Sequence, residues 1–218
     1  EPPVKHDEPV PPEPKQVEET QQELPLPKVP DYRIIGEALN TYILVEQAGS
    51  LLLIDKHAAH ERILFEKLRA DTEPVMPQLL LTPVLCEPER EEAAVLLENA
   101  ELLAQYGYEI SDYGDGVLAI RQIPTEIAPD DAAQSLTALA AELLTGRHAD
   151  PTELRDRLLH TIACKAAIKG GWTSDLAELR VLVEKVQSGE VRYCPHGRPV
   201  AVKLSRYERS LDLRRGRK

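Results

Sequence analysis

The run Asp55-Lys56-His57-Ala58-Ala59-His60-Glu61-Arg62-Ile63-Leu64-Phe65-Glu66 places three carboxylates and two imidazoles within twelve residues. It begins where the apolar stretch Leu51–Ile54 reads as a buried strand passing into a helix, a usual place for functional side chains in α/β folds. On a wheel of about 100° per residue, Glu61 falls about 40° from His57, with Leu64, Phe65 and Leu68 on the same face. A carboxylate on an apolar face is costly unless donors or a cation satisfy it, so this pair asks for a partner, and a metal ion fits. Glu66 lies about 180° from His57 and is read as support, not as a ligand. Asp55 ends the strand and is placed either to ligate the metal or to cap the helix. A capped helix with a satisfied core histidine accounts for the same residues equally well.

A second cluster is Cys194-Pro195-His196-Gly197-Arg198-Pro199. A thiolate and an imidazole two residues apart, in a loop stiffened by Pro and Gly, have the chemistry of a zinc site. Arg198 is a candidate phosphate ligand beside them. The third piece is Cys164, in Ala163-Cys164-Lys165, and its plain alternative is a buried core cysteine. Cys86 fits that alternative better still. Asp55, His57, Glu61, Cys164, Cys194 and His196 together exceed the four ligands of one structural zinc. They suit two adjacent metals, which in catalytic pairs sit about 3.5–4 Å apart.

The elements that must position these groups follow from patterning. Strands are expected at Tyr32–Ala38, Thr41–Glu46, Leu51–Ile54, Gln78–Leu85, Tyr108–Ser111, Val117–Ile123 and Val200–Leu204. Helices are expected at Ala58–Ala70, Pro88–Tyr106, Asp130–Leu144, Pro151–Lys169 and Ser174–Val186, with Gly170-Gly171 as a break and a short helix at the end. The mixture is α/β or α+β. Residues 1–30 hold 9 of the 18 prolines and only six hydrophobic residues, and read as a disordered Pro/Glu-rich linker with something normally ahead of it. The net charge of −11 argues against a protein that simply coats nucleic acid, whereas residues 190–218 carry a local +6 suited to phosphate. Three cysteines in 218 residues argue for a reducing, cytoplasmic setting, and no apolar run is long enough to span a membrane.

Taken together, the three clusters resemble the C-terminal, dimerisation and endonuclease domain of the MutL family of DNA mismatch-repair proteins. The family's D-Q-H-A-x-x-E-x-x-x-x-E motif is met by Asp55, His57, Ala58, Glu61 and Glu66, its A-C-R/K element by Ala163-Cys164-Lys165, and its C-P-H-G-R-P element by Cys194–Pro199. The resemblance covers about residues 31–215. Two positions depart from it. Lys56 stands for the usual Gln, where its charge either lowers metal affinity or contacts DNA phosphate. Leu213, in Leu213-Arg214-Arg215, stands for the Phe of a terminal F-x-R.

The resemblance implies a two-lobed domain: a dimerising lobe of about 31–72 with 158–218, and a smaller regulatory lobe of about 73–157 inserted into it. It implies a homodimer in a bacterial, nucleoid-associated setting that nicks double-stranded DNA. Mn²⁺ would be held by Asp55, His57 and Glu61. A structural or regulatory Zn²⁺ would be held by Glu61, Cys194 and His196, with Cys164 and His57 close by. Lys165, Arg198 and the tail from Arg206 would steer phosphate. ATP and the mismatch-recognition protein MutS would be engaged through the full-length protein. Gln78-Leu79-Leu80-Leu81-Thr82-Pro83 resembles a Q-x-L-x-x-P peptide that docks on the DNA polymerase sliding clamp, with Gln78, Leu80 and Pro83 entering the groove. The competing readings are a dimerisation and docking module with a structural zinc and no turnover, and a zinc-binding regulatory domain of unrelated function.

Overall fold

The computed structural model describes residues 31–71, 73–169 and 174–205. In chain order the elements are β1 (Tyr32–Ala38), β2 (Tyr42–Gln47), β3 (Ser50–Asp55), α1 (Lys56–Ala70), β4 (Pro77–Cys86), α2 (Arg90–Glu98), α3 (Ala100–Gln105), β5 (Glu109–Gly114) and β6 (Val117–Pro124). A 3-10 turn at Pro129–Asp131 then leads into α4 (Ala132–Thr145), followed by α5 (Pro151–Ala166), α6 (Leu176–Gln187) and β7 (Ala201–Leu204). The 1–30 segment, the Gly170-Gly171 break, the tail from Arg206 and Leu213-Arg214-Arg215 lie outside the described residues.

The strands form two antiparallel sheets, ordered β1-β2-β3-β7 and β4-β6-β5, so the fold is α+β. The first two hairpins turn at Leu39-Asn40 and Ala48-Gly49, all four residues with positive φ. Backbone twist of that hand matches the twist of the flanking strands, which is why such short loops suffice. Period-two alternation sends Ile43, Val45 and Ile54 inward, where they are fully buried with Leu179, Leu182 and Val183 of α6. The intervening Tyr42, Leu44, Leu51, Leu53 and Val202 pair across the opposite face. That face carries apolar residues yet packs no helix core.

A second core lies between the other sheet and α2, α3, α4 and α5, built on Leu96, Leu103, Ile120, Ile123, Leu136, Leu139, Leu158 and Ile162. Phe65 and Leu68 at the end of α1 belong to it, while Ala59 at the start of α1 belongs to the first core. Helix α1 therefore joins the two cores. The expected lobe boundary at 157/158 falls inside the continuous helix α5.

Three elements differ from the sequence expectation. The single helix over Pro88–Tyr106 divides at Asn99, whose amide donates to the Val95 carbonyl at 2.8 Å. Its short amide competes with the ladder for that carbonyl. Gly107 then ends α3 at φ +84, with Pro124 so close that a Cβ would sit 3.2 Å from its Cα. Helix α1 starts at Lys56, two residues early, because Asp55 caps it: its carboxylate accepts from the Ala58 N–H at 3.0 Å. Helix α5 stops at Ala166, short of Lys169. Among the described residues no helix is long and apolar enough to cross a membrane.

Candidate metal centre

The start of α1 is held on three sides. The Asp55 N–H donates to the Val200 carbonyl at 2.8 Å, and the Lys56 N–H to the Thr41 carbonyl at 3.0 Å. The Asp55 carboxylate caps the first turn. That register aims Glu61 inward, one turn further on, toward α5. Glu61 is only 3% exposed, and it is not left unsatisfied. His160 of α5 approaches its Oε1 through Nε2 at 3.1 Å, and His196 through Nδ1 at 4.0 Å. Donor atoms of Glu61, His160 and His196 all lie within 4.8 Å of one another. The two imidazoles meet edge to face at 4.5 Å between centroids, and the edge of Phe65 supports His160 at 6.0 Å.

Electrostatics reflect this crowding. Burial by itself would raise the Glu61 pKa. The hydrogen bond from His160 and the charges of His160, His196 and His57 together pull it below the ordinary carboxylate value. Cys164 is pushed up, first by burial and then by the Glu61 carboxylate, to which its thiol donates; Lys165 pulls the other way. One buried carboxylate thus gathers two imidazoles and a thiol, a mixed donor set that fits zinc by its soft and borderline members.

Each residue singled out from the sequence can now be placed. His57 does not touch Glu61 by hydrogen bond. Its Nδ1 faces the Ile168 carbonyl at 2.9 Å, so Nδ1 carries the proton and Nε2 keeps its lone pair. His60 accepts from the Ile168 N–H at 3.0 Å, so the two histidines clamp the chain just after α5 against α1. Glu66 faces away and pairs with Arg62 at 2.5 Å. In the Cys194–Pro199 loop, the Cys194 N–H reaches the Arg198 carbonyl at 2.8 Å and the Gly197 N–H reaches the Cys194 carbonyl at 2.9 Å. This tight turn, with Gly197 at φ +80, buries Cys194 in the first core and carries His196 outward to the Glu61 cluster. Cys194 is adjacent in sequence but stands outside the mutually close trio, contrary to the expectation that it leads the zinc ligands. Arg198 is exposed and Lys165 half-buried at the end of α5. Cys86 is a core residue, its sulfur near Thr137 Oγ1 at 3.8 Å.

Lys56 overturns its expectation. It is fully buried, with Nζ at 2.7 Å from Glu37 Oε1, and so cannot reach a DNA phosphate. His160 is the residue that sequence reading missed. The available signal was its place four residues before Cys164, which sets both on one helical face.

The Gln78–Pro83 peptide lies on β4, the edge of the second sheet, across a bulge between Leu79 and Val84. Gln78 donates its amide inward to the Pro124 and Ile127 carbonyls at 3.0 and 2.6 Å, and Leu80 packs on the core. Leu79 and Leu81 are the ones turned out, 74% and 104% exposed. The side chains expected to enter a groove are thus, for Gln78 and Leu80, committed inside, because alternation along a strand splits a contiguous motif between two faces.

An α+β domain with one open apolar sheet face, and a carboxylate–imidazole–thiol cluster between α1 and α5, is the class defined by fold and site. The family model described as MutL C terminal dimerisation domain matches residues 35–174, and the chain belongs to that family. It is 30% identical over 93% of its length to a DNA mismatch repair protein MutL of Caldanaerobacter subterraneus subsp. tengcongensis, covering 35% of that protein. It is 35% identical over 82% of its length to the protein so named from Clostridium acetobutylicum, covering 29% of it. The Clostridium perfringens protein of the same name is 32% identical over 86% of the chain, which covers 28% of it. The chain spans about a third of the length of these relatives.

Proposed function

We propose that this chain is a dimerising domain of DNA mismatch repair that nicks DNA with divalent cations held around Glu61. The observation that carries the reading is the meeting of Glu61, His160, His196 and Cys164 from three separated segments. Glu61 and His196 with the thiols of Cys164 and Cys194 are the proposed zinc donors, and Asp55, His57 and Glu61 the proposed Mn²⁺ donors. A bound divalent cation supplies charge to the scissile phosphate and acidifies a water toward neutral pH. The chain's own contribution is positional. Asp55 is fixed as a helix cap, and His57 is oriented with Nε2 free because its Nδ1–H is committed to Ile168. Lys165 and Arg198 offer cationic contacts to the DNA backbone. ATP use and contact with MutS are proposed for the full-length protein, not for this domain.

The acidic chain should hold DNA weakly, so delivery by the sliding clamp through the exposed edge of β4 is part of the proposal. Homodimerisation is assigned to the outer face of the first sheet, where Ile35, Tyr42 and Val202 are 53%, 38% and 56% exposed beside Leu44, Leu51 and Leu53. An isologous pairing of that face should bury more than about 1,000 Å².

The test is nicking of supercoiled plasmid with Mn²⁺, with and without clamp, before and after chelation. Metal-dependent nicking lost in Glu61→Gln is the expected result. Asp55 acting as cap favours a second reading, a zinc-stapled docking module without turnover; that reading predicts bound zinc with no nicking at any Mn²⁺ concentration.

A further inference from the structure

We propose that His160 is a direct ligand of the metal centre, so that Glu61, His160, His196 and Cys164 form a closed four-donor zinc site. The inference rests on the metal-centre reading above and adds a ligand that lies in none of the three matched motifs.

The argument begins with what Glu61 needs. A buried carboxylate is satisfied by one or two donors, and His160 at 3.1 Å with the Cys164 thiol already supplies them. His196 is then surplus. Its Nδ1 stands 4.0 Å from Glu61 Oε1, too far for a hydrogen bond, yet its ring is stacked edge to face on His160 at 4.5 Å. Two imidazoles from different segments that converge on one carboxylate oxygen enclose a point that a cation fills. Donors about 2.0–2.2 Å from a tetrahedral zinc lie roughly 3.4 Å apart. The trio is within 4.8 Å, so side-chain rotation of about an ångström closes it without moving the helices.

Helix α5 is the rigid part of the arrangement. His160 and Cys164 are one turn apart and face α1 together, with Phe65 supporting the imidazole. His160 is 26% exposed at its side chain, enough for a cation to enter from the loop side. When the cation enters, the proton on Nε2 that now faces Glu61 must leave or move to Nδ1, since a ligating nitrogen offers its lone pair. Four donors are then complete without Asp55 and His57, which are left for a second and harder cation. A set with two nitrogens and a sulfur selects zinc over manganese.

The experiment strips the whole 218-residue chain with chelator and titrates it with Zn²⁺ alone, then with Co²⁺ as a spectroscopic probe. The variants are His160→Ala, His160→Gln, Asp55→Asn and Glu61→Gln, with folding checked by circular dichroism in chelator. His160→Ala and His160→Gln should weaken Zn²⁺ by more than about 100-fold, beyond the roughly 10–100-fold typical of an outer partner, and should shift the Co²⁺ absorption band. Asp55→Asn should leave both unchanged. Weakening of any size with an unchanged Co²⁺ band would make His160 a holder of Glu61 only, and overturn the proposal, as would unchanged affinity. Full Zn²⁺ affinity in Glu61→Gln would instead overturn the metal-centre reading on which it rests.

Discussion

Around Glu61, side chains from three stretches far apart in sequence meet; along β4, the residues of one six-residue stretch part company. At the first place Glu61, Cys164 and His196 come from α1, α5 and a loop before β7, and the fold spends a capped helix start and a tight turn to bring them together. At the second, Gln78 and Leu80 turn inward while Leu79 and Leu81 face solvent. The contrast shows which kind of motif survives folding. Distant segments have no local reason to converge, so their convergence is informative. A contiguous peptide on a strand is always split between two faces, and its match to a pattern says nothing about which half is offered.

The largest expected effect sharpens the first half of that contrast. Glu61→Gln keeps size and a hydrogen-bonding oxygen but removes the charge, and plasmid nicking with Mn²⁺ should fall to the level of the chelated chain. Nicking in the same clamp-free assay should be untouched by Leu81→Ala. If Leu81→Ala fell with Glu61→Gln, the two regions would not be separable.

Next comes Lys56→Ala. It removes one partner of a buried ion pair and leaves Glu37 without it, at a cost of about 3–5 kcal/mol read from chemical denaturation. Zinc bound per folded chain should stay the same, because Lys56 belongs to the frame of the site and not to its ligands.

Gln78→Ala should cost about 1–3 kcal/mol, since the Pro124 and Ile127 carbonyls lose their donor. Loss of clamp binding in this variant without loss of stability would mean that β4 docks with Gln78 swung outward. Leu79→Ala with Leu81→Ala is the smallest in stability, within about 0.5 kcal/mol. If β4 docks in the arrangement it has here, this double variant, and not Gln78→Ala, is the one that weakens clamp binding measured by surface plasmon resonance.

The order of elements was legible because each carries its own local signal. Alternation marks the β1–β3 meander, Asp55 sits where a cap belongs, and Gly107 closes a helix. The break at Asn99 was not legible, since Ala, Glu and Leu on both sides favour helix and only a side-chain hydrogen bond to Val95 interrupts it. In the site, the wheel put Glu61 inward, as its burial bears out. Charge type misled at Lys56: a lysine beside an expected metal reads as a phosphate contact, and only the cross-strand neighbour Glu37 explains its burial. His160 escaped notice because it lies among Leu158, Leu159 and Ile162, where one imidazole on an apolar helix looks like a core residue.

The central claim is that the convergence at Glu61 is a metal centre, and the measurement closest to it is the zinc content of the purified chain beside that of Glu61→Gln. Both proteins are loaded with Zn²⁺, dialysed against metal-free buffer and assayed by elemental analysis, with folding confirmed by thermal unfolding. The account predicts about one zinc retained per wild-type chain, with a thermal midpoint that drops on chelation, and near-background zinc in Glu61→Gln. A wild-type chain that retains no zinc and is indifferent to chelator, or a Glu61→Gln chain that retains as much as wild type, would contradict it.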